Sequence, residues 1–241
     1  MTYCIGIKTN EGLVFASDSR TNAGLDNVNI YSKMFTHDVG DRTIVIVTSG
    51  NLGTSQAVYK SIEKDLKSTT SIMNLNTCND FEQIASYIGS LNIEHSSPQG
   101  INTDNVLLGS TFIVGGQIKG QQHELYLVYP QGNYIRPADS KPYLVIGEVK
   151  YGKPILDRVI TPEVSIGDAS RCALISMDST LKSDLTVGPP IDIAVFKKDE
   201  KKISYLKCLN TSDNDYKMIC ETWSNKVIQA FDTFPKFDWE K

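Results

Sequence analysis

The chain has 241 residues, a formal net charge of −4, and an ordinary composition with 40% hydrophobic and 22% charged residues. A chain of this length can bury a substantial core in one domain, which we expect to span residues 1–241. The negative charge, with no run of Lys or Arg, argues against a surface that binds nucleic acid.

The apolar runs and the cysteines narrow the class of protein further. Apolar runs such as Ile44–Val47 are far shorter than the ~20 residues that cross a membrane, and the start of the chain lacks the features of a secretory signal. The five cysteines and three histidines are scattered without metal-ligand spacing. We therefore expect reduced thiols, a cytoplasmic location, no membrane association, and no metal or other cofactor.

The first part of the chain predicts strands joined by tight turns. Tyr3–Lys8 and Leu13–Ser17 are predicted to form a hairpin in which Gly12 takes the positive φ of the turn. Met34–Thr36 and Arg42–Thr48 are predicted to be the next strands. Consecutive strands with short connections indicate the nucleus of an antiparallel sheet.

Helical patterns follow the fourth strand. Apolar residues recur at helical spacing from Leu52, and a second helix is predicted from Phe81, with Asn79 or Asp80 as its cap. A strand that runs through Gly50 into a helix presents free backbone N–H groups. The same Ser-Gly-Asn sequence is also an ordinary turn at the start of a helix.

The second half of the chain repeats the alternation of strands and helices after a stretch, His95–Leu108, that we expect to be irregular. The predicted strands are Thr111–Ile118, Glu124–Val128, Tyr143–Ile146, Ile191–Phe196 and Ile203–Leu206. The predicted helices are Glu148–Val159, Asp168–Ser183, and Tyr216–Phe231 with Trp223, Val227 and Phe231 buried. This order predicts the α+β class with antiparallel sheets.

The start of the chain carries a candidate nucleophile. Removal of Met1 leaves Thr2 with a free α-amine, whose reference pKa of about 7.7–8.0 makes it a base near neutral pH. Lys33 is a cation that can lower this pKa, and a buried Asp18 can hold Lys33 charged and oriented. The three groups form the Thr and N-terminal-amine variant of a catalytic triad. By residue type alone they are an ordinary second residue, a solvated lysine and a turn-forming aspartate.

Three features resemble the N-terminal signature of proteasome β-type subunits, which are N-terminal-nucleophile (Ntn) hydrolases. They are Thr2, the run Gly12-Leu13-Val14-Phe15-Ala16-Ser17-Asp18-Ser19-Arg20, and Lys33. The stretches Met1–Cys4 and Ser17–Gly24 are most similar to Anbu, the bacterial ancestral β-subunit family. The resemblance extends along most of the chain. It implies a four-layer αββα sandwich of two antiparallel sheets flanked by helices.

The resemblance also implies a threonine peptidase and assigns roles to residues. In that family Thr2 is the nucleophile, Lys33 and Asp18 tune and orient it, Gly50 supplies the oxyanion-hole N–H, and Asp184 supports the site. The implied substrate-binding residues are Thr21, Thr48 and Leu52, and the implied neighbours of the site are Arg20, Glu148 and Val187. The expected partners are a peptide or polypeptide substrate and further copies of the chain in a ring or spiral. Whether an unfoldase docks stays open.

The sequence departs from the family pattern at two positions. Serines that proteasome β subunits place near the α-amine correspond here to Glu148 and Val187. A carboxylate at Glu148 either raises the pKa of the amine or balances Lys33. Only Met1 precedes Thr2, so we expect exposure of Thr2 to depend on removal of Met1 by the host. Two alternatives stay open, a non-catalytic assembly scaffold of the same fold and an Ntn amidase that acts on a small amide.

Overall fold

Two antiparallel sheets lie face to face in the computed structural model, which describes residues 1–22, 28–96 and 108–240. The strands are β1 (Tyr3–Thr9), β2 (Gly12–Asp18), β3 (Arg20–Asn22), β4 (Val28–Ile30), β5 (Met34–Val39), β6 (Arg42–Gly50), β7 (Ser110–Ile118), β8 (Glu124–Val128), β9 (Tyr134–Ile135), β10 (Tyr143–Gly147), β11 (Ile191–Lys197) and β12 (Tyr205–Leu209). The helices are α1 (Leu52–Lys67), α2 (Phe81–Ser96), α3 (Lys153–Val159), α4 (Ile166–Ser183) and α5 (Asn214–Phe231). None of these helices in the described part of the chain is long and apolar enough to cross a membrane.

The order of the strands places β1 and β6 inside their sheets. The first sheet has the order β10-β1-β2-β11-β12, and the second has the order β5-β6-β7-β8-β9. β3 and β4 form a separate two-stranded hairpin beside them. Every pairing within the sheets is antiparallel, as the order of elements predicted.

Three apolar layers hold the sheets and helices together. Successive side chains in a strand point to opposite faces, so Tyr3 and Ile5 of β1 pack toward α4 while Cys4 lies between the two sheets. In β6, Ile46 packs toward α1 and α2 while Val47 lies between the sheets. The layers therefore run helices, sheet, sheet, helices, which confirms the four-layer αββα sandwich.

The turns and caps of the first half agree with the sequence prediction. Gly12 has a φ of +147° in the β1–β2 turn. At the start of α2, Asp80 Oδ1 accepts from the N–H of Gln83 at 2.8 Å, and Gln83 Oε1 accepts from the N–H of Asn79 at 2.9 Å. This reciprocal pair satisfies two N–H groups that a helix start leaves open. α2 continues through Ser96, so the stretch predicted to be irregular from His95 onward was placed two residues too early. The rest of that stretch, residues 97–107, lies outside the described residues.

Two elements of the second half are displaced from their predicted positions. α3 begins at Lys153 rather than at Glu148, because Pro154 lacks an N–H and fits the first turn of a helix. The last strand is Tyr205–Leu209 rather than Ile203–Leu206, since the β11–β12 register pairs Ile191 with Leu209.

The predicted burial of the C-terminal helix is wrong for two of its three residues. Tyr216 and Cys220 are buried and Trp223 is half-buried, but Val227 is 36% and Phe231 68% exposed. Periodicity identifies an apolar face of a helix but does not show whether anything covers it. In this chain α5 packs on α4 through its first turns, and its later turns are exposed.

A close backbone contact requires glycine at the end of β10. Gly147 pairs with Tyr3, has a φ of +87°, and would bring any Cβ into overlap with the carbonyl oxygen of Thr2. Gly120, in the β7–β8 turn, has a similar φ of +84°, but no atom lies within 4 Å of the position that a Cβ would take there. Any other residue would have the same unfavourable positive φ at both positions, but only at Gly147 would its Cβ also overlap the Thr2 carbonyl oxygen.

We expect Gly147→Ala to lower the free energy of unfolding by about 3 kcal/mol or more, because the methyl group separates β1 from β10. Gly120→Ala should cost only the strain of a left-handed residue, about 1–2 kcal/mol. Urea denaturation of the two variants measures the difference. Equal losses would contradict the importance of the Thr2 contact.

Candidate active site

A buried ion pair links the end of β2 to the segment that precedes β5. Lys33 is 3% and Asp18 0% exposed, and Lys33 Nζ donates to Asp18 Oδ1 at 2.7 Å. The same ammonium donates to the carbonyl oxygen of Arg20 at 2.7 Å. Asp18 also accepts from the N–H of Tyr3 at 3.0 Å and from the N–H of Gly188 at 3.2 Å. One carboxylate therefore ties together β1, β2 and two loops.

The charge state of Asp18 depends on these partners. Burial raises the pKa of the Asp18 carboxyl, whereas the Lys33 ammonium and the N–H groups of Tyr3 and Gly188 oppose that rise. A buried charge that loses its partner is strongly destabilising, so the two residues act as one unit.

The beginning of the chain is anchored next to this pair. The carbonyl oxygen of Thr2 accepts from the N–H of Glu148 at 2.7 Å, and the next residue, Tyr3, donates its N–H to Asp18. The phenol of Tyr3 lies 2.8 Å from Ser176 Oγ in α4. Thr2 is consequently held at the start of β1, because both polar groups of the peptide unit between Thr2 and Tyr3 are hydrogen-bonded.

A cavity of about 890 Å³ opens beside Thr2. Its lining comes from both sheets and from the β3–β4 hairpin, and consists of Met1, Thr2, Thr21, Asn29, Ile30, Tyr31, Ser49, Gly50, Leu52, Thr111 and Gly147. Of the residues that the sequence singled out, Thr2, Thr21, Gly50 and Leu52 meet in this lining. Sequence reasoning missed the contributions of Asn29, Ile30, Tyr31, Ser49, Thr111 and Gly147.

The turn from β6 into α1 is fixed by side-chain hydrogen bonds. Gly50 has a φ of +111°, and Asn51 caps α1 by accepting from the N–H of Thr54 at 3.1 Å. The carbonyl oxygen of Asn51 accepts from Ser55 Oγ at 3.0 Å and from Ser110 Oγ at 2.8 Å. These contacts hold the Gly50–Asn51 backbone rigid where it borders the cavity.

Thr48 lies beneath this turn and not in the cavity lining. It is buried, with Oγ1 3.1 Å from Ser55 Oγ and donating to the carbonyl oxygen of Thr111 at 3.3 Å. Because side chains alternate along β6, Ser49 is the residue that reaches the cavity. Residues 44–47 are all apolar, so the sequence carries no signal that distinguishes Ser49 from Thr48.

The loop after α4 packs against the ion pair. Asp184 Oδ1 accepts from Thr186 N–H at 2.8 Å and from Thr186 Oγ1 at 2.6 Å. Burial favours a higher pKa for this carboxyl, but the bonds from Thr186 outweigh it and the pKa is lowered. Arg20 Nη1 donates to the carbonyl oxygen of Leu185 at 2.8 Å. The Arg20 guanidinium lies against Gly188, where any Cβ would overlap it.

The two residues that replace the expected serines have different environments. Val187 is buried in the apolar layer between the first sheet and its helices. Glu148 is also buried, and its Oε1 accepts from the N–H of Lys150 at 3.1 Å. The backbone bond to Thr2 places Glu148 beside the start of the chain. Glu148 therefore contacts the candidate nucleophile through its backbone, and its carboxylate is bonded to the backbone of Lys150.

Cys4 does not compete with Thr2 as a nucleophile. Its thiol donates to the carbonyl oxygen of Thr48 at 3.3 Å, and burial raises the pKa of the thiol. A protonated, buried thiol is inert. Among the described residues, no cluster of His, Cys, Asp and Glu has the arrangement of a metal site.

Comparison with known proteins yields one consistent group. The sequence model of the proteasome subunit family matches residues 2–196. The structure of Anbu from Yersinia bercovieri is 35% identical, covers 98% of this chain and 99% of its own, and superposes with a TM-score of 0.91. The helical assembly of the Anbu complex from Pseudomonas aeruginosa is 36% identical, covers 98% of this chain and 98% of its own, and superposes with a TM-score of 0.91. A proteasome subunit beta from Haloquadratum walsbyi is 22% identical over 84% of this chain and 76% of its own length.

We expect Asp18→Asn to lower the free energy of unfolding by about 3–5 kcal/mol, because it leaves the Lys33 ammonium buried without a counter-charge. The matched control is Glu221→Gln, since the Glu221 side chain is 63% exposed and its partner Lys217, at 3.7 Å, is 61% exposed. An exposed pair contributes about 0–1 kcal/mol. Chemical denaturation near neutral pH compares the two, and a loss below about 1 kcal/mol at Asp18 would refute the role given to the pair.

Proposed function

The chain belongs to the proteasome subunit family and to its Anbu group, and we propose that it is a threonine peptidase whose nucleophile is Thr2 after removal of Met1. The observation that supports this most strongly is the placement of Thr2 and Gly50 on one cavity. The buried Lys33–Asp18 pair is bonded to the residue that follows Thr2. These are the parts that N-terminal-threonine chemistry requires.

The proposed reaction begins with attack of Thr2 Oγ on a peptide carbonyl. The free α-amine of Thr2 takes the hydroxyl proton, directly or through a water, and returns it to the departing amine. The Gly50 N–H stabilises the tetrahedral oxyanion, a contribution of about 3–4 kcal/mol for one such donor. Water then hydrolyses the ester on Thr2. Lys33 lowers the pKa of the α-amine, and Asp18 and Asp184 keep the surroundings of the site in place.

The substrate is a peptide in extended form. Thr21 lies on β3, which pairs with β4. The hydroxyl group of Thr21 donates to the carbonyl oxygen of Asn29 in β4 at 3.1 Å. On the other side of the cavity are Ser49 and Gly50 at the end of β6. An extended segment between these strand ends can pair with backbone groups, as in strand addition.

A non-catalytic assembly scaffold is the second candidate function, and Glu148 is the observation that favours it. A buried carboxylate beside the α-amine stabilises the ammonium form and so opposes the effect of Lys33 on the pKa of the base. Retention of Met1 would remove the base altogether. The small-amide hydrolase has no observation of this kind in its favour.

We expect intact mass spectrometry to show a chain that lacks Met1 and gains one adduct with an epoxyketone, an electrophile directed at an N-terminal threonine. The adduct requires both the hydroxyl and the amine of Thr2. Thr2→Ala should abolish the adduct, while Thr21→Ala, at another hydroxyl of the same cavity, should retain it. Retained Met1, or an adduct that survives in Thr2→Ala, would contradict the proposed mechanism.

We further propose that the protein functions as a homo-oligomer, in the cytoplasm, with all 241 residues in one domain. The second half of α5 and the tail that follows expose a continuous set of large apolar side chains, which we call the C-terminal apolar face. It consists of Val227, Ile228, Phe231, Phe234, Phe237 and Trp239.

Exposed apolar patches of this kind mark interaction sites. The relative from Pseudomonas aeruginosa is described as a helical assembly, and the five unpaired cysteines accord with a reducing compartment.

We expect a charge on the C-terminal apolar face to reduce the mass of the assembly. Phe231→Glu places a carboxylate where copies of the chain would bury an apolar side chain, which is costly. Ile72→Glu is the control, because Ile72 is 95% exposed but lies in the loop between α1 and α2. Light scattering after size-exclusion chromatography measures the mass. An unchanged mass for Phe231→Glu, or an equal reduction in the control, would exclude this face as the contact.

A further inference from the structure

We propose that another cavity, at the end of the sandwich opposite Thr2, binds a phosphate group that carries one proton. The phosphate group belongs to inorganic phosphate or to a small phosphate ester. The cavity has a volume of about 580 Å³. β1 starts next to Thr2 and reaches this cavity at Thr9, about 20 Å away at 3.3 Å per residue. The inference therefore does not rest on the proposed peptidase.

The lining of this cavity has more positive than negative side chains. The ionised residues are Lys8 from β1, Glu124 from β8, Arg136 and Asp139 from the segment after β9, and Lys198 from the turn after β11. Three cations against two carboxylates make the lining positive, although the whole chain is negative. Cations that converge from separate elements favour a compact anion with several oxygen atoms.

The Lys198 ammonium is the charge in this lining that is available to a ligand. Lys8 Nζ lies 3.2 Å and Arg136 Nε 3.9 Å from the same oxygen, Oε2 of Glu124. Arg136 also donates to the hydroxyl group of Tyr126 at 2.8 and 2.6 Å. In the described part of the chain, no carboxylate forms an ion pair with Lys198.

The same lining contains a buried imidazole with one nitrogen atom unused. His123 is 4% exposed, and its Nε2 lies 2.8 Å from the carbonyl oxygen of Thr9. A carbonyl oxygen only accepts, so Nε2 carries the hydrogen atom. Nδ1 is buried and has no hydrogen-bond partner among the residues that the structure describes. Buried polar groups nearly always have a partner, so this open nitrogen beside a cavity points to a ligand.

The surroundings of His123 keep its ring neutral. Burial lowers the pKa of His123 and the Lys8 and Lys198 cations lower it further, whereas the bond to the Thr9 carbonyl and the Glu124 carboxylate oppose this shift. A neutral ring with its hydrogen atom on Nε2 offers Nδ1 only as an acceptor. The ligand that fits is therefore an anion that brings its own hydrogen-bond donor.

A phosphate group with one proton meets both requirements. The second pKa of a phosphate ester is about 6, so about half of the groups carry a P–OH at pH 6. The P–OH donates to His123 Nδ1, and the remaining oxygen atoms accept from Lys198. A sulfate has the same shape and a negative charge but no proton at this pH, so it places a lone pair against Nδ1.

The experiment is calorimetric titration of the full chain at pH 6 with inorganic phosphate, glycerol 2-phosphate and sulfate. We expect a phosphate ligand to bind about tenfold or more tightly than sulfate, because only the phosphate satisfies Nδ1. Its affinity should fall between pH 6 and pH 8, as the phosphate group loses the proton. Tighter binding of inorganic phosphate identifies the free ion as the ligand, and tighter binding of glycerol 2-phosphate identifies a phosphorylated small molecule.

Two variants separate the acceptor from the charge. His123→Gln keeps a donor for the Thr9 carbonyl but has no acceptor at the position of Nδ1, so phosphate should bind no more tightly than sulfate. Lys198→Gln should weaken the binding of both anions severalfold and keep the preference for phosphate. Lys60→Gln is the matched control, because it removes the same charge from an exposed position on α1, outside this lining.

Equal binding of phosphate and sulfate, tighter binding of sulfate, or no binding of phosphate at millimolar concentration would overturn the inference. A preference for phosphate that survives in His123→Gln, or an equal loss in Lys60→Gln and Lys198→Gln, would also overturn it. Thermal melting shows whether His123→Gln is folded, and the comparison of phosphate with sulfate on the unchanged protein needs no variant. None of these outcomes depends on the chemistry of Thr2.

Discussion

The buried ion pair of Lys33 and Asp18 is the interaction on which the arrangement of the site depends. Two opposite charges removed from water are tolerated only when each is fully engaged, and here the carboxylate accepts from Lys33, from Tyr3 and from Gly188. Lys33 in turn bonds the backbone of Arg20. The requirement to satisfy two charges thus fixes the strand that carries Thr2, the hairpin that carries Thr21, and the loop after α4.

The sandwich provides the rigid support for that pair. β1 and β2 are buried on both faces, between α4 on one side and the second sheet on the other. The end of β6 brings Gly50 to the same edge, and the hydroxyl groups of Ser55 and Ser110 hold the following carbonyl. Precise placement of a nucleophile relative to an oxyanion donor needs such locked backbone on both sides.

The electrostatics near Thr2 distinguish this chain from the family pattern. In the proposed mechanism Lys33 lowers the pKa of the Thr2 α-amine, and a carboxylate beside that amine would work in the opposite direction. Asp184 adds a second carboxyl group, whose pKa the bonds from Thr186 lower in spite of burial. The balance of these groups sets the fraction of free base at neutral pH, and so links the proposed chemistry to the two residues that replace the family's serines.

The sequence by itself determined the order of the elements, the antiparallel pairing and, through the resemblance in residues 2–33, the family of the chain. These features are local, because turn residues, alternation and helix caps act over a few positions. Tertiary structure decided that Ser49 and not Thr48 reaches the cavity, since the facing of β6 depends on both neighbouring layers. It also decided that Phe231 is exposed and that Glu148 lies beside Thr2. These are contacts between distant segments, and no local pattern specifies what lies opposite a given face.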